Sequence, residues 1–127
     1  MICLLDTHTL IWALDGDKRL SKKASQTIKA VDNTIYVSVA SLWEIAIKRS
    51  LKKLDFSLTF EQMYNDLSFM QIGLLPIEKP HLEVLEKLPF HHGDPFDRLI
   101  IAQAKSQNIK VITKDKIFPQ YKVETLW

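Results

Sequence analysis

The sequence begins with Met1-Ile-Cys-Leu-Leu5, which is apolar throughout, and then turns polar at Asp6-Thr7. A short, fully apolar run that ends abruptly in polar residues predicts a buried parallel strand and marks its carboxyl end. From Thr7 to Leu14 the apolar residues recur at helical spacing, and Asp15-Gly16-Asp17 then predicts a turn. The chain therefore opens with a strand, an acid and a helix.

Short apolar segments alternate with amphipathic segments along the rest of the chain. Because strands that alternate with helices build a parallel sheet covered on both faces, this order predicts an α/β fold. Further strands are predicted at residues 34–37, 71–77, 110–113 and 123–126, and further helices at 21–31, from 38 toward 54, and at 58–69, 81–88 and 96–106.

The composition of the chain is that of an ordinary globular protein, with 127 residues of which 46% are apolar and 25% charged. At this length we expect one domain that spans residues 1–127. The net charge of +2 neither supports nor excludes nucleic-acid binding, since affinity depends on where the charges lie. Cys3 is the one cysteine, so no internal disulfide can form, which favours a reducing compartment.

No run of the sequence approaches the roughly 18 consecutive apolar residues of a membrane helix. The first residues also lack the positively charged start and small-residue cleavage site of a signal peptide. We therefore expect a cytoplasmic protein without a membrane partner.

Acidic residues stand where predicted strands end and predicted helices begin. In an open parallel sheet, ligands bind outside the carboxyl ends of the strands, so side chains at these positions share one edge. The acids that could converge there, although far apart in sequence, are Asp6, Glu44, Asp94, Asp97 and Asp115.

Carboxylates brought that close repel one another, so a positive charge must hold them. The chain has no Cys or His cluster at zinc-like spacing, and oxygen ligands favour a hard cation, Mg²⁺ or Mn²⁺. Such an ion lowers the pKa of a bound water and accepts phosphate oxygens at its open positions. The pattern therefore indicates metal-assisted hydrolysis of a phosphodiester.

Each acid also has a structural interpretation. Asp6 and Asp94 could cap the helices that follow them, and Asp115 could be a plain turn residue. Asp97, in the first turn of its helix, complements the helix dipole and could pair with Arg98.

Glu44 has two structural alternatives of its own. Ser41-Leu-Trp-Glu44 fits a capping box, and Glu44 with Lys48 forms an i,i+4 ion pair. No acid is decisive alone, and the joint placement of all five carries the prediction.

With these residues in view, the chain resembles the PIN-domain family, and most closely its VapC-type toxins of bacterial toxin–antitoxin pairs. The resemblance covers essentially the whole chain and includes four acidic motifs in family order. They are Leu4-Leu-Asp-Thr-His-Thr-Leu-Ile-Trp12, Val37-Ser-Val-Ala-Ser-Leu-Trp-Glu-Ile-Ala-Ile-Lys48, the most specific His92-Gly-Asp-Pro-Phe-Asp-Arg-Leu-Ile-Ile-Ala-Gln-Ala104, and Val111-Ile-Thr-Lys-Asp115.

The resemblance implies a three-layer α/β/α sandwich around a mainly parallel sheet of about five strands. It also implies a PIN domain whose Mg²⁺ or Mn²⁺ site cleaves single-stranded RNA. Asp6 and Asp97 are the expected direct metal ligands. Glu44, Asp115 and Asp94 are expected to bind a second ion, hold a water or act as base, with Thr113 and Thr7 in support.

The family resemblance further implies a homodimer and a cognate VapB-type antitoxin whose tail covers the site. Gly93 departs from the pattern, because close relatives often carry a basic residue between the His and the Asp. Candidate RNA contacts are Lys48, Arg49, Lys52, His92 and Arg98. For the basic stretch that begins at Lys48 the alternative is a solvated helix face, and for His92 it is simple exposure in a loop.

Three other functions fit these residues less well. A non-catalytic PIN-like module that binds RNA or a partner is the main alternative, although all the acids are present. A haloacid-dehalogenase-like phosphatase would need a second Asp at position 8, where this chain has His8. A receiver domain would need its acids and a late Lys in a different order.

Overall fold

Five parallel strands form the centre of the computed structural model, which describes residues 1–127, in the order β3-β2-β1-β4-β5. The strands are β1 (Ile2–Leu5), β2 (Thr34–Ser38), β3 (Ile72–Leu75), β4 (Lys110–Ile112) and β5 (Thr125–Leu126). The helices are α1 (Thr7–Asp15), α2 (Lys22–Lys29), α3 (Val39–Ser50), α4 (Phe60–Phe69), α5 (Lys79–Lys87), α6 (Pro95–Gln107) and α7 (Ile117–Gln120).

The helices form a layer on each face of the sheet. Alternate residues of β1 point to opposite faces, so Cys3 and Leu5 enter one core while Leu4 enters the other. The first core receives the apolar side chains of α1 to α4, and the second receives those of α5 to α7. This is a three-layer α/β/α sandwich, which confirms the predicted fold class.

The strand order places a topological switch point beside β1. The chain moves outward from β1 to β2 and β3 on one side, and then returns to place β4 and β5 on the other side. Leu5 pairs in register with Val37 of β2 and with Ile112 of β4. The polar residues that follow these three strands therefore emerge at one edge, where ligands bind in open α/β sheets.

Several predicted boundaries differ from the observed ones, each for a local reason. The strand predicted at 71–77 spans only Ile72–Leu75, because Gln71 has a left-handed φ of 58° that places it in a turn. The helix predicted from residue 81 already begins at Lys79, because Pro80 is tolerated in a first helical turn. The strand predicted at 123–126 is reduced to Thr125–Leu126.

Helix α7 is not predicted from the sequence. It is a single turn that contains Pro119, too short for an apolar period to develop. The Asp115 carboxylate starts it by accepting a hydrogen bond from the Ile117 N–H at 3.0 Å. None of the seven helices combines the length and apolar character needed to cross a membrane.

Candidate functional site

Asp6 lies at the junction of β1 and α1, buried at the carboxyl edge of the sheet. Its Oδ1 caps α1 by accepting from the Thr9 N–H at 2.8 Å, and its Oδ2 accepts from the Thr113 hydroxyl at 2.5 Å. Burial raises the pKa of Asp6, while the hydrogen bonds from Thr113 and Thr9 oppose that rise. Both oxygens are therefore held in fixed directions by the ends of two neighbouring elements.

Glu44 is a buried acid on α3, the helix that contacts both α1 and α6. Its Oε2 forms an ion pair with the ammonium of Lys48, one turn further along the helix. Its Oε1 is buried and has no hydrogen-bond partner. A buried carboxylate oxygen without a donor is rare in native proteins, so this atom is a free acceptor for a cation.

The capping-box alternative for Glu44 is wrong, because α3 begins earlier than that motif requires. Ser38 is the N-cap and accepts from the Ala40 N–H at 3.0 Å. Ser41 lies inside the helix, where its Oγ accepts from the Thr7 hydroxyl at 2.9 Å. Thr7 thus ties α1 to α3, and Glu44 is left without a capping role.

Asp94 and Asp97 occupy the first turn of α6. Asp94 is the N-cap, and its side chain accepts a hydrogen bond from the Asp97 N–H at 2.9 Å. The Asp97 side chain is therefore not needed to cap the helix. Burial and the nearby charges of Asp94, Glu44 and Asp6 raise the pKa of Asp97 to about 7. Three of the other four predicted acids therefore lie close enough to Asp97 to influence its ionisation.

Asp115 lies at the exposed rim of the same edge, after β4. Its N–H donates to the Thr113 Oγ at 3.0 Å, so one threonine positions both Asp115 and Asp6. Asp115 and Asp6 also line a common cavity. The turn interpretation holds as well, because the Asp115 carboxylate starts α7.

His92 is half-buried, and both of its ring nitrogens lie against protein groups. Its Nε2 lies 3.2 Å from Asp97 Oδ2, and its Nδ1 lies 2.7 Å from the Tyr121 hydroxyl oxygen. The same hydroxyl is within hydrogen-bond distance of the N–H groups of His91 and His92, of the Arg98 guanidinium and, at 3.3 Å, of the His92 carbonyl oxygen. Because an ionised Asp97 carboxylate can only accept, the His92 Nε2–H donates to it. The ring thus contacts a site carboxylate, and the RNA contact at His92 stays a prediction.

The predicted RNA contact at Arg98 is wrong, because its guanidinium is buried. Nη1 donates to the Pro89 carbonyl at 2.8 Å and to the Tyr121 hydroxyl at 3.2 Å, and Nη2 donates to the Leu88 carbonyl at 3.1 Å. These bonds anchor the loop before α6. They also exclude the predicted pairing of Arg98 with Asp97.

The basic stretch at the end of α3 is only partly free to bind RNA. The Arg49 guanidinium donates to the carbonyls of Phe56 and Leu58, which gives it a structural role, and the RNA contact there stays a prediction. Lys48 is half-buried and paired with Glu44. Lys52 is exposed and makes no ion pair, so it alone of the three is unengaged.

The carboxylate edge is chemically suited to a hard cation. Its donors are oxygens, one of which is the orphaned Oε1 of Glu44, and ionisation of Asp97 is opposed by neighbouring acids in the absence of a counter-charge. No three His, Cys, Asp or Glu side chains are placed closely enough to hold an ion as they stand. Binding one ion would therefore require some of these side chains to move closer to the others.

A family model describes most of this chain. Residues 3–124 match the model of the PIN domain. The chain belongs to the PIN-domain family. The match covers β2, β3, β4 and all but the first residue of β1, ends just before β5, and includes all five acids.

Individual PIN-domain proteins are similar over nearly the same length. Ribonuclease VapC22 of Mycobacterium tuberculosis (strain ATCC 25618 / H37Rv) is 28% identical over 116 residues, covering 89% of this chain and 86% of that protein. VapBC2 from Rickettsia felis, crystallised with a promoter DNA fragment, matches with a TM-score of 0.72 at 19% identity, over 99% of this chain and 98% of that one. VapBC-1 from nontypeable Haemophilus influenzae matches with a TM-score of 0.69 at 18% identity, over 99% of this chain and 97% of that one. These structures show the shared fold.

Within this PIN domain, the structure adds contacts that the sequence did not indicate. Tyr121 contacts His92 across 29 positions of sequence, and no local pattern signals that pairing. His8 and Trp12 line the cavity shared by Asp6 and Asp115. Their spacing of one helical turn after the first acid was a usable signal, since it places both rings on one face of α1.

Proposed function

We propose that this chain is a metal-dependent endoribonuclease, a VapC-type toxin that hydrolyses phosphodiester bonds of single-stranded RNA with Mg²⁺ or Mn²⁺. The observation that carries the proposal is the position of Asp97, a half-buried carboxylate whose pKa is raised by burial and by three neighbouring acids. Perturbed acids clustered at a ligand-binding edge are typical of catalytic sites. Membership of the PIN-domain family and the ribonuclease relative support the same chemistry.

The roles of the acids follow from their contacts. When bound, a Mg²⁺ or Mn²⁺ ion lowers the pKa of a coordinated water and polarises a phosphoryl oxygen. Asp6 and Asp97 are the proposed direct ligands, because each is held at this edge by groups that fix its direction. Glu44 can contribute its Oε1, which has no hydrogen-bond partner, and Asp115 contributes a second carboxylate at the exposed rim of the cavity that it lines with Asp6.

The remaining polar groups orient these acids. Asp94 is engaged as the cap of α6, so we propose that it positions Asp97 and adds negative charge. Thr113 fixes Asp6, and Thr7 holds α1 against α3. A carboxylate whose two oxygens are already directed loses less freedom when it binds an ion.

Partners are part of the same proposal. Several known relatives of this fold are described as VapBC complexes, and we propose a VapB-type antitoxin and a homodimer for this chain. Large exposed apolar side chains could take part in such contacts, among them Trp43, Leu51 and Tyr64. We further propose that residues 1–127 act as a single cytoplasmic PIN domain.

The proposal is tested by incubating the purified protein with a mixture of single-stranded RNAs and Mg²⁺ or Mn²⁺. We expect cleavage that stops when the metal is chelated by EDTA and that is lost in Asp6→Asn. A protein that cuts no RNA with either metal, and whose expression affects cells no differently from Asp6→Asn, would contradict the proposal and favour the non-catalytic binding module.

A further inference from the structure

A small cavity adjoins the carboxylate edge and has a volume of about 170 Å³. Clefts that hold drug-sized ligands measure ~300–1,000 Å³, so this one suits a single flat ring. Two of its walls are candidate catalytic acids, so an occupant would lie directly beside the proposed point of cleavage. The lining consists of Asp6, His8, Trp12, Lys114 and Asp115.

Aromatic rings form the wall of this cavity on the side of α1. His8 and Trp12 lie one helical turn apart, with ring centroids 5.8 Å from each other and planes inclined by 36°. His8 is exposed and Trp12 is half-buried, so part of each ring remains available at the cavity. Aromatic faces beside a nuclease site are suited to stacking an unpaired base.

The Trp12 ring is held in place before any ligand arrives. The Trp127 ring packs against it in an edge arrangement, with centroids 5.8 Å apart. The guanidinium of Arg19, itself paired with Asp17 at 2.7 Å, lies 5.1 Å from the Trp12 centroid. A ring fixed by these two neighbours needs little further ordering when it binds a ligand.

The charges around the cavity distinguish its interior from its rim. The carboxylates of Asp6 and Asp115 disfavour an anion inside, whereas a neutral ring is compatible with them. Lys114 is exposed and makes no ion pair, so its ammonium is free to contact a phosphate outside. This division matches a nucleotide, which has a neutral aromatic base and an anionic backbone.

We propose that the cavity receives one unpaired base of the RNA next to the scissile phosphate, with Trp12 as its stacking surface and Lys114 at the flanking phosphate. The inference rests on the proposed ribonuclease function and names the part of the substrate that is recognised. A base paired in a duplex keeps its faces stacked and cannot enter. The cavity therefore gives a physical reason for a preference for single strands.

The first test compares a short single-stranded RNA that is cut at one mapped bond with copies that carry an abasic ribose at one flanking nucleotide at a time. We expect one abasic position to lower kcat/KM roughly tenfold, as loss of a stacked base would, and the other positions to have little effect. This arm needs no protein variant, so it does not depend on whether a substitution folds.

The second arm replaces the ring. Trp12→Leu should lower kcat/KM about tenfold on the parent RNA and have no further effect on the sensitive abasic RNA. Trp12→Phe, which keeps an aromatic face, should recover most of the loss. The matched control is Phe69→Leu, an exposed aromatic residue that lines a different cavity, and it should cut both RNAs like the wild type. The proposal would be overturned if all abasic RNAs were cut equally well. It would also be overturned if the losses in kcat/KM from Trp12→Leu and from the sensitive abasic position multiplied when the two changes were combined.

A binding measurement separates this inference from the proposed function. In the double variant Trp43→Phe with Trp127→Phe, Trp12 is the one remaining tryptophan. Titration with the single-stranded RNA should quench its fluorescence to a saturating level, whereas the matching duplex should not. If the wild type cuts no RNA, the proposed function fails, and this titration still decides the cavity: absence of saturable quenching would overturn it.

Discussion

Helices α1 and α6 bring acids to the same edge of the sheet in two different ways. At α1 one residue, Asp6, caps the helix with Oδ1 and meets Thr113 with Oδ2. At α6 the duties are divided, because Asp94 caps the helix and leaves the Asp97 side chain to the site. An acid can therefore be a helix cap and a candidate ligand at once, and the two interpretations do not exclude each other.

The difference also appears in how the two acids ionise. Asp6 is more deeply buried, but hydrogen bonds to its charged form counter the rise in its pKa. Burial and three neighbouring acids raise the pKa of Asp97 to about 7, and only one hydrogen bond, from His92, opposes that rise. The α6 arrangement stores more electrostatic repulsion, and it should respond more strongly to a bound cation.

The largest expected effect is the loss of cleavage in Asp97→Asn. The amide cannot supply a charged ligand, and we expect kcat to fall by at least about 100-fold. Without metal, the same variant should unfold at a higher temperature than the wild type at pH 8, because a repelled charge is removed. Cleavage rates and thermal melts test the two halves together. Asp32→Asn, an exposed acid outside the site, is the control and should change neither.

The next effect concerns the support of Asp6. Thr113→Val removes the hydroxyl that donates to Asp6 Oδ2 while it keeps the shape of the side chain. We expect Mn²⁺ affinity to fall roughly 10–100-fold, as is usual when a group that orients a ligand is lost. Calorimetric titration with Mn²⁺ measures this. Thr113→Ser, which retains the donor, should bind Mn²⁺ nearly normally, and equal losses in both variants would show that the hydroxyl is not responsible.

A smaller effect is expected in the pH dependence of stability. The pKa of Asp97 is raised from 3.8 to about 7 in the folded protein, so between these values the folded state binds more protons than the unfolded state. The contribution of this group to stability is therefore present below pH 3.8 and is lost as the pH rises to about 7. The difference in melting temperature between the wild type and Asp97→Asn should widen over that range in EDTA, and Mg²⁺ should narrow it again. A difference that stays constant with pH would contradict the assignment.

The smallest effect tests the division of roles at α6. Asp94→Asn keeps an oxygen that can accept from the Asp97 N–H, so its stability should stay close to that of the wild type, whereas Asp94→Ala should lose about 1 kcal/mol. Urea unfolding measures both. Cleavage by Asp94→Asn should remain well above that of Asp97→Asn. If Asp94→Asn and Asp97→Asn were equally inactive, the division of roles, with Asp94 as helix cap and Asp97 as site residue, would be contradicted.

The fold could be predicted from the sequence because its signals are local. Each strand is a short apolar run, and each long helix has an apolar face with its own start signal, such as Ser21 or Asp94. Helix α7 escaped prediction because one turn has no period, and strand β5 is too short to define its own limits.

The site could be predicted in outline but not in its contacts. The acids of the site could be predicted from the sequence because the carboxyl ends of parallel strands share one edge of the sheet. The contacts of the Arg98 and His92 side chains could not be predicted from the sequence. Each side chain contacts Tyr121, a residue distant in sequence that comes close to them only after folding. Arg98 follows directly after an acid and looks like a surface cation, yet its bonds to two carbonyls of the preceding loop bury it.

The most direct test of the central claim is anomalous diffraction from crystals of the protein soaked in Mn²⁺. The account predicts an anomalous peak at the carboxyl edge of the sheet, within about 2–2.6 Å of carboxylate oxygens from both Asp6 and Asp97. The Glu44 side chain should turn its orphaned oxygen toward that peak. Saturating Mn²⁺ that gives no peak at this edge, or a peak bound by neither Asp6 nor Asp97, would contradict it.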